Sequence, residues 1–280
     1  MASLRLPHGT LDWQRAQLVG VLNLTPDSFS DGGQEASVEE IQRRAAALTA
    51  GGAVLLDVGG ESTRPGASPL TAEEEQARIL PAIAALAPRY DVSVDTYHAA
   101  TAVAAVAAGA ALVNDISGGL LDAAMLPTVA RLGVPVVLGH LRGAPATMMQ
   151  AVRFDDVVGE VVKELDERRR AAERAGIDPH KIVLDPGLGF GKHPEHSWAL
   201  LAALPRLAAL GCPLMIGASR KGFLGALVDR PPGERDRATA AVTALVAARV
   251  PALIRVHDPA SQRDALLVGQ ALYAAERAAA

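Results

Sequence analysis

The feature that most constrains the fold is a unit of one short apolar run and one helical segment, which recurs eight times along the 280 residues. Short, continuous apolar runs indicate strands that are buried on both faces, as the strands of parallel sheets are. Parallel neighbours need a crossover between them, and the helical segments supply it. The eight runs lie at residues 17–23, 54–58, 92–95, 112–115, 135–140, 182–185, 214–217 and 251–256.

Eight successive units in a chain of this length predict an α/β protein of the (β/α)8, or TIM barrel, class. We expect residues 17–280 to form this single barrel domain and residues 1–16 to form an N-terminal extension. A doubly wound open sheet is the alternative, but it usually places its glycine fingerprint in the first loop between a strand and a helix. Here the glycines are spread over many such loops, which favours the barrel.

The helical segments carry recognisable start signals. Ser37 with Glu40, and Thr71 with Glu74, have the spacing of a capping box. The predicted helices span residues 37–50, 71–86, 97–108, 125–132, 157–175, 194–210, 235–249 and 259–275, with a short turn at 223–228.

Composition limits the classes of function. Half of the residues are hydrophobic but only 3% are aromatic, so the core is built from aliphatic side chains. A net charge of −4 with interspersed signs gives no basic face for nucleic acid. One cysteine, Cys212, excludes an internal disulfide and suits a reducing compartment. The sequence shows no signal segment and no apolar stretch of membrane-spanning length, so we expect a cytoplasmic protein without a membrane partner.

Polar residues gather where the predicted strands end. In a barrel, the loops that follow the strands share the C-terminal face, which holds the active site. Taken singly, each residue also has a structural interpretation, such as Asn114 capping a turn or Asp95 capping the next helix. Because the pattern recurs at most of the strands, we favour one shared site. Its candidate residues are Asn23, Asp95, Asn114, Asp185, Lys221, Arg255 and His257.

Carboxylates and an amide at the bottom of a cavity suit the edge of a planar ligand that is rich in N–H donors. Asp185 is the best candidate, since a carboxylate matches an amidine-like or guanidine-like edge with two hydrogen bonds. Asp95 and Asn114 suit neighbouring edges of the same ligand. Lys221 suits a carbonyl or ring nitrogen; a solvated loop charge is the alternative for this residue.

Arg255 and His257, at the end of the last strand, are predicted to lie beside Asn23, at the end of the first. Arginine and histidine donors beside an amide suit a phosphate or diphosphate. The Asn23 oxygen suits a metal ion such as Mg²⁺, which takes most of its ligands from diphosphate and water. No spacing typical of a zinc site occurs. For His257 alone, a packed histidine at a strand end is the simpler interpretation.

Seven segments resemble the motifs of dihydropteroate synthases and occur in the same order, from about residue 18 to the end of the chain. The first two are long and distinctive. The segments are VLNLTPDSFSDGG at 21–33, LDVGGESTRPG at 56–66, VDT at 94–96, NDISG at 114–118, LDPGLGFGK at 184–192, GASRK at 217–221 and RVH at 255–257.

The resemblance implies a transferase of folate synthesis. Such a barrel enzyme joins p-aminobenzoate to 6-hydroxymethyl-7,8-dihydropterin diphosphate, and releases dihydropteroate and diphosphate. By the same resemblance, the pterin contacts Asp95, Asn114, Asp185 and Lys221. Asn23 helps to hold Mg²⁺, and the diphosphate contacts Arg255 and His257 with Thr63 and Arg64 nearby. The residues expected around p-aminobenzoate are Phe29, Asp31, Thr63, Arg64, Pro65, Phe190, Ser219, Arg220 and Lys221.

The reaction suits an ionisation-like substitution, in which the pterin stabilises positive charge while the diphosphate leaves. The chain then contributes electrostatic stabilisation and needs no protein nucleophile. We expect Arg255 and His257 to stabilise the departing anion, together with Mg²⁺. Asp31, carried by a glycine-containing loop, is placed to stabilise the cationic pterin. The expected catalytic residues are Asp31, Arg64, Lys221, Arg255 and His257.

Two positions depart from the family pattern. Gly139 stands where the family commonly has a methionine that packs on the pterin, so either a neighbour fills that space or the pocket is looser. Gly222 stands where serine is frequent. Neither departure removes a charged group, so we expect an active enzyme.

Two rival functions are weighed against the synthase. A methyltetrahydrofolate:corrinoid methyltransferase shares the pterin-binding barrel but does not need the motifs at 21–33 and 56–66. A non-catalytic pterin-binding paralogue does not need the charged residues that the chain retains.

The family is usually dimeric through helices near the end of the chain, so the resemblance also implies a homodimer.

Overall fold

The computed structural model describes residues 3–25, 37–62, 66–150 and 152–279. In this part of the chain, two short strands, β1 (Leu4–Arg5) and β2 (Thr10–Leu11), pair antiparallel ahead of eight parallel strands that close into a barrel. The predicted (β/α)8 class is confirmed. The barrel strands are β3 (Gln17–Asn23), β4 (Ala53–Gly59), β5 (Val92–Asp95), β6 (Leu112–Asp115), β7 (Val136–Gly139), β8 (Ile182–Asp185), β9 (Leu214–Ile216) and β10 (Ala252–Val256).

Helices connect the successive strands, as the periodicity predicts. The helices within the described residues are α1 (Val38–Ala50), α2 (Ala72–Leu86), α3 (Ala99–Ala107), α4 (Met125–Leu132), α5 (Val157–Arg174), α6 (Pro194–Ala202), α7 (Leu204–Ala208), α8 (Gly222–Val228), α9 (Asp236–Ala247) and α10 (Pro259–Ala279). The helix predicted at 194–210 is two helices, because Pro205 lacks the N–H that would continue the first. The turn predicted at 223–228 is a short helix.

The start signals act as predicted at α2 and in part at α1. The Thr71 hydroxyl accepts the Glu74 N–H, and the Glu74 carboxylate accepts the Thr71 N–H, so the capping box is complete. The Ser37 hydroxyl accepts the Glu40 N–H, but the Glu40 carboxylate instead lies 3.7 Å from the Arg43 guanidinium.

The lower end of the barrel is closed by aliphatic side chains and by the N-terminal segment. Leu11 and Trp13 are buried against a layer to which seven barrel strands each contribute one side chain. The layer consists of Val19, Leu55, Leu112, Val137, Val183, Met215 and Leu253. The N-terminal extension therefore packs as a cap beneath the barrel, and the exact division at residue 16 stays a prediction.

Candidate active site

The carboxyl ends of the strands surround a cavity at the upper end of the barrel. Six of the residues predicted from the sequence line it, which brings together side chains up to 160 positions apart, as Asp95 and Arg255 are. The lining residues are Asp95, Asn114, Ile116, Gly139, Asp185, Gly187, Phe190, Gly217, Lys221 and Arg255.

The guanidinium of Arg255, on β10, bridges carboxylates from two other strands. Its Nε donates to Oδ2 of Asp57 and its Nη2 to Oδ2 of Asp95, both at 2.6 Å. Burial acts to lower the pKa of Arg255, but the two carboxylates outweigh it and raise that pKa, so the guanidinium stays charged. Burial raises the pKa of Asp95 to about 7; Arg255 opposes this effect and the charge of Asp57 adds to it.

Asp57 is a site residue that the sequence analysis missed. It lies within β4, is fully buried, and accepts the Ser93 hydroxyl at 2.5 Å as well as the Asn114 amide at 3.0 Å. Donors from β5 and β6, together with Arg255, therefore satisfy a carboxylate that would be costly to bury alone. The available signal was one acid inside the apolar run at 54–58.

A second pair of opposite charges, Asp185 and Lys221, lines the same cavity. Asp185 Oδ1 accepts the Gly187 N–H at 2.7 Å, and Lys221 Nζ donates to the Leu188 carbonyl. Lys221 Nζ also lies 4.3 Å from the centre of the Phe190 ring. Burial raises the pKa of Asp185 and lowers the pKa of Lys221 to about 8, and each charge partly offsets the shift of the other. Lys221 is therefore mainly protonated at neutral pH.

Ser219 and His257 form a hydrogen-bonded pair beside this cavity. The His257 backbone N–H donates to Ser219 Oγ at 3.2 Å, and Ser219 Oγ lies 3.0 Å from His257 Nδ1. Burial, and then the charge of Arg255, lower the pKa of His257 to about 4, so the imidazole is neutral at physiological pH. If the Ser219 hydroxyl donates to Nδ1, the proton of the neutral ring is on Nε2, which remains a hydrogen-bond donor.

Asn23 ends strand β3 and is half-buried. Within the described ranges, no group of three or more His, Cys, Asp or Glu side chains is arranged to hold a metal ion. A single neutral amide oxygen fits a hard cation that keeps water and phosphate ligands, as Mg²⁺ does. It does not fit zinc, which takes three or four nitrogen, sulfur or carboxylate ligands from the protein.

Comparison with known proteins gives the family. The family model for pterin binding enzymes matches residues 19–257. A dihydropteroate synthase of Mycobacterium leprae is 46% identical over 267 residues, which cover 92% of this chain and 94% of that protein. The chain belongs to the dihydropteroate synthase family. The family and the enzyme class predicted from the sequence are therefore confirmed.

Solved structures of dihydropteroate synthases agree with this assignment. A structure from Xanthomonas albilineans with 4-aminobenzoic acid has a TM-score of 0.89 and 45% identity, covering 98% of this chain and 99% of that one. Another from the same organism, in complex with 7,8-dihydropteroate, has a TM-score of 0.87 and 42% identity over the same shares.

The structure explains the first departure from the dihydropteroate synthase pattern, the glycine at position 139. The Asp115 carboxylate accepts N–H groups of Ser117 and Gly119, and these bonds fix the loop after β6. A Cβ added at Gly139 would lie 2.5 Å from the Ile116 carbonyl oxygen, so that loop occupies the space of a larger residue. At Gly222, an added Cβ would meet no atom within 4 Å, and nothing in the structure explains the glycine there.

Five residues that the sequence predicts for the site lie outside the described residues. These are Phe29, Asp31, Thr63, Arg64 and Pro65. Arg220 is described, and its guanidinium pairs with Asp236 through bonds of 2.8 and 2.7 Å, so its charge is engaged by the protein itself.

We predict that Asp57→Asn lowers the free energy of unfolding by about 3 kcal/mol, because it removes the charge of a fully buried carboxylate that pairs with Arg255. Chemical denaturation measures the change. Asp12→Asn is the matched control: Asp12 pairs with Arg15 at the surface, where the loss of a salt bridge costs about 1 kcal/mol or less. Equal losses in the two variants would contradict the anchoring role of Asp57.

Proposed function

We propose that the chain joins p-aminobenzoate to 6-hydroxymethyl-7,8-dihydropterin diphosphate at this cavity, giving 7,8-dihydropteroate and diphosphate. The observation that carries the proposal is one cavity lined by Asp185, Asn114, Asp95 and Lys221, which match the donors and acceptors of a pterin ring. The two Xanthomonas relatives with 4-aminobenzoic acid and with 7,8-dihydropteroate support the choice of substrate and product.

The pterin ring binds deep in the cavity. Asp185 accepts two N–H groups from the guanidine-like edge of the ring, which gives both binding energy and orientation. Asn114 and Asp95 contact neighbouring edges, and Lys221 donates to a ring acceptor. Asp57 supports these contacts from below, since it holds Asn114 at 3.0 Å and Arg255 at 2.6 Å.

The diphosphate lies against Arg255 and His257. Arg255 Nε and Nη2 are held by Asp57 and Asp95, while its Nη1 makes no hydrogen bond to a described residue and is placed to meet the leaving group. Neutral His257 donates from Nε2. By resemblance, Thr63 and Arg64 complete this part of the site. Asn23 is the protein ligand that we propose for Mg²⁺, which supplies further positive charge to the diphosphate oxygens when bound.

p-Aminobenzoate binds above the pterin, against Phe190, Ser219 and Lys221. By resemblance, Asp31, Arg64 and Pro65 close this part of the site from the loops at 21–33 and 56–66. Its amine forms a C–N bond to the exocyclic carbon of the pterin as the C–O bond to diphosphate breaks, and the amine then loses a proton to solvent. The chain contributes position and fixed charge, without a covalent intermediate.

The experiment that tests this function is diphosphate release by the purified protein. Release that depends on both p-aminobenzoate and Mg²⁺ is expected. A methyltransferase of the same fold, or a non-catalytic pterin-binding protein, would release no diphosphate under these conditions.

We propose that the chain forms a homodimer through α9 and α10. These helices pack against each other and expose four aliphatic side chains: Leu245, Leu267, Val268 and Leu272, each more than half exposed. An apolar surface of this kind favours burial in an interface. Light scattering should give twice the chain mass, and Val268→Asp should shift the protein toward monomer.

A cytoplasmic location is the accompanying proposal. It is supported by the single cysteine, Cys212, which is buried and free. Among the described helices, none combines the length and the apolar character needed to cross a bilayer.

We predict that Asp185→Asn weakens pterin binding by roughly 2–4 kcal/mol, because it removes a charge-assisted bidentate contact. Isothermal titration calorimetry with a pterin measures the change. Asp178→Asn is the control, since Asp178 precedes the same strand at the opposite end of the barrel, where it caps a 3-10 turn. Unchanged pterin affinity in Asp185→Asn would refute the assignment.

Pterin affinity should fall as the pH rises above about 8. The pKa of Lys221 is lowered to about 8, so the free enzyme loses this ammonium above that pH and must take up a proton to bind. The expected loss approaches tenfold per pH unit. Titrations between pH 7 and 9.5 should show this decline in pterin affinity for the wild type and not for Lys221→Gln. Any titration of the pterin itself affects both proteins equally. Parallel profiles would exclude Lys221 as the donor.

A further inference from the structure

A cluster of charged side chains lies behind the glycine-rich loop that follows β8, outside the cavity. Lys192 is 3% exposed and His140 is 4% exposed, and neither lines the cavity. Burying a lysine in this way is costly unless specific partners compensate it. The partners of Lys192 therefore indicate what this residue does.

Lys192 joins the loop to His140. Its Nζ lies 3.0 Å from the Phe190 carbonyl oxygen, 2.9 Å from Nδ1 of His140 and 3.4 Å from the His140 carbonyl oxygen. Burial, and then the charge of Lys221, lower the pKa of Lys192 to about 7. In its protonated form Lys192 can only donate, so Nδ1 then accepts and the proton of the ring is on Nε2. Burial, and then the charge of Lys192, lower the pKa of His140 to about 4, which agrees with a neutral ring.

The other side of the imidazole is fixed to helix α5. His140 Nε2 lies 2.9 Å from Oε2 of Glu164, and Arg142 Nε lies 3.1 Å from both oxygens of that carboxylate. A neutral histidine thus connects the Lys192 side chain to the carboxylate of Glu164. These contacts run from the outer helix to the loop that carries Phe190.

The loop is seated tightly on this cluster. Gly187 has φ +65°, and a Cβ there would overlap the His140 carbonyl oxygen, so the backbones touch at this point. The Phe190 backbone is held by Lys192, while its ring lies 4.3 Å from Lys221 Nζ at the cavity. Two lysines therefore hold one aromatic residue, one through its carbonyl group and one through its ring.

We propose that Lys192 is a positioning residue, which fixes Phe190 and thereby sets the affinity for the aromatic amine substrate. The proposal rests on the proposed function, because it takes Phe190 to contact p-aminobenzoate. Lys192 touches neither substrate. It acts through the loop backbone, so its removal affects p-aminobenzoate binding more than binding of the pterin diphosphate.

The test compares steady-state kinetics of the full-length wild type with Lys192→Met. We expect the KM for p-aminobenzoate to rise about fivefold, the effect of losing one hydrogen bond of about 1 kcal/mol. The KM for the pterin diphosphate and kcat should change less than twofold. Lys181→Met is the matched control. Lys181 Nζ also donates to a carbonyl group, that of Gly133 at 2.6 Å, but this contact lies below the barrel. The kinetic constants of this variant should equal those of the wild type.

A Phe190→Ala background separates positioning from general stability. There, adding Lys192→Met should raise the KM for p-aminobenzoate no further. A fivefold rise in that background too, or equal rises in both KM values of the single variant, would overturn the proposal. If Lys192→Met does not fold, Glu164→Gln, at the half-buried end of the cluster, replaces it in the test. We then expect a smaller rise in KM that is confined to p-aminobenzoate. No rise in that KM would contradict the proposal.

Assays of the wild type distinguish a failure of the proposed function from a failure of the positioning role. No p-aminobenzoate-dependent diphosphate release by the wild type overturns the proposed function, and the positioning role falls with it. An active wild type whose KM for p-aminobenzoate is unaffected by Lys192→Met overturns the positioning role alone.

Discussion

The interaction on which the site depends is the bridge from Arg255 to Asp57 and Asp95. It connects the last strand of the barrel to β4 and β5, and it places a permanent positive charge between the buried carboxylate of Asp57 and the half-buried carboxylate of Asp95. A guanidinium suits this role better than an ammonium, because its fixed fork meets two acceptors at once and keeps its proton. The bridge also fixes Asn114 through Asp57. Asn114 and Asp95, which we propose to contact the pterin, are therefore joined with Arg255, which we propose to meet the diphosphate, in one hydrogen-bonded unit.

The barrel makes this arrangement possible by treating its two ends differently. Aliphatic residues and the N-terminal cap fill the lower end, whereas Asp95, Asp185, Lys221 and Arg255 lie together at the upper end. There the charges lie close enough to compensate one another. Burial moves the pKa of Asp95 up to about 7 and the pKa of Lys221 down to about 8, so both groups titrate near physiological pH. Such a site is organised before a ligand arrives, which is the condition for electrostatic catalysis without a protein nucleophile.

Much of the fold and of the candidate site could be predicted from the sequence, because these features depend on local sequence patterns. Apolar runs and helical periodicity predicted the barrel. Polar residues at the strand ends and in the loops that follow them predicted Asp95, Asn114, Asp185, Lys221 and Arg255 as neighbours at one cavity. The residues that the sequence did not predict owe their roles to contacts that only the folded chain makes. Asp57 lies inside a strand, where only the register shows that it faces Ser93 and Arg255. The sequence pattern gives Lys192 no role of its own, since its burial against His140 follows from the fold of residues far apart in sequence. The predictions for Asp31 and Arg64 lie outside the described residues and stay predictions.

The central claim is that the cavity is built in advance for a pterin, with Arg255 held by the protein and Asp185 open to the ligand. A crystal structure of the chain with a bound pterin and diphosphate tests it most directly. We expect the guanidine-like edge of the ring at about 3 Å from the Asp185 carboxylate, with the bonds from Arg255 to Asp57 and Asp95 retained. A ring whose edge faces away from Asp185, or an Arg255 that leaves Asp57 to reach the ligand, would contradict it.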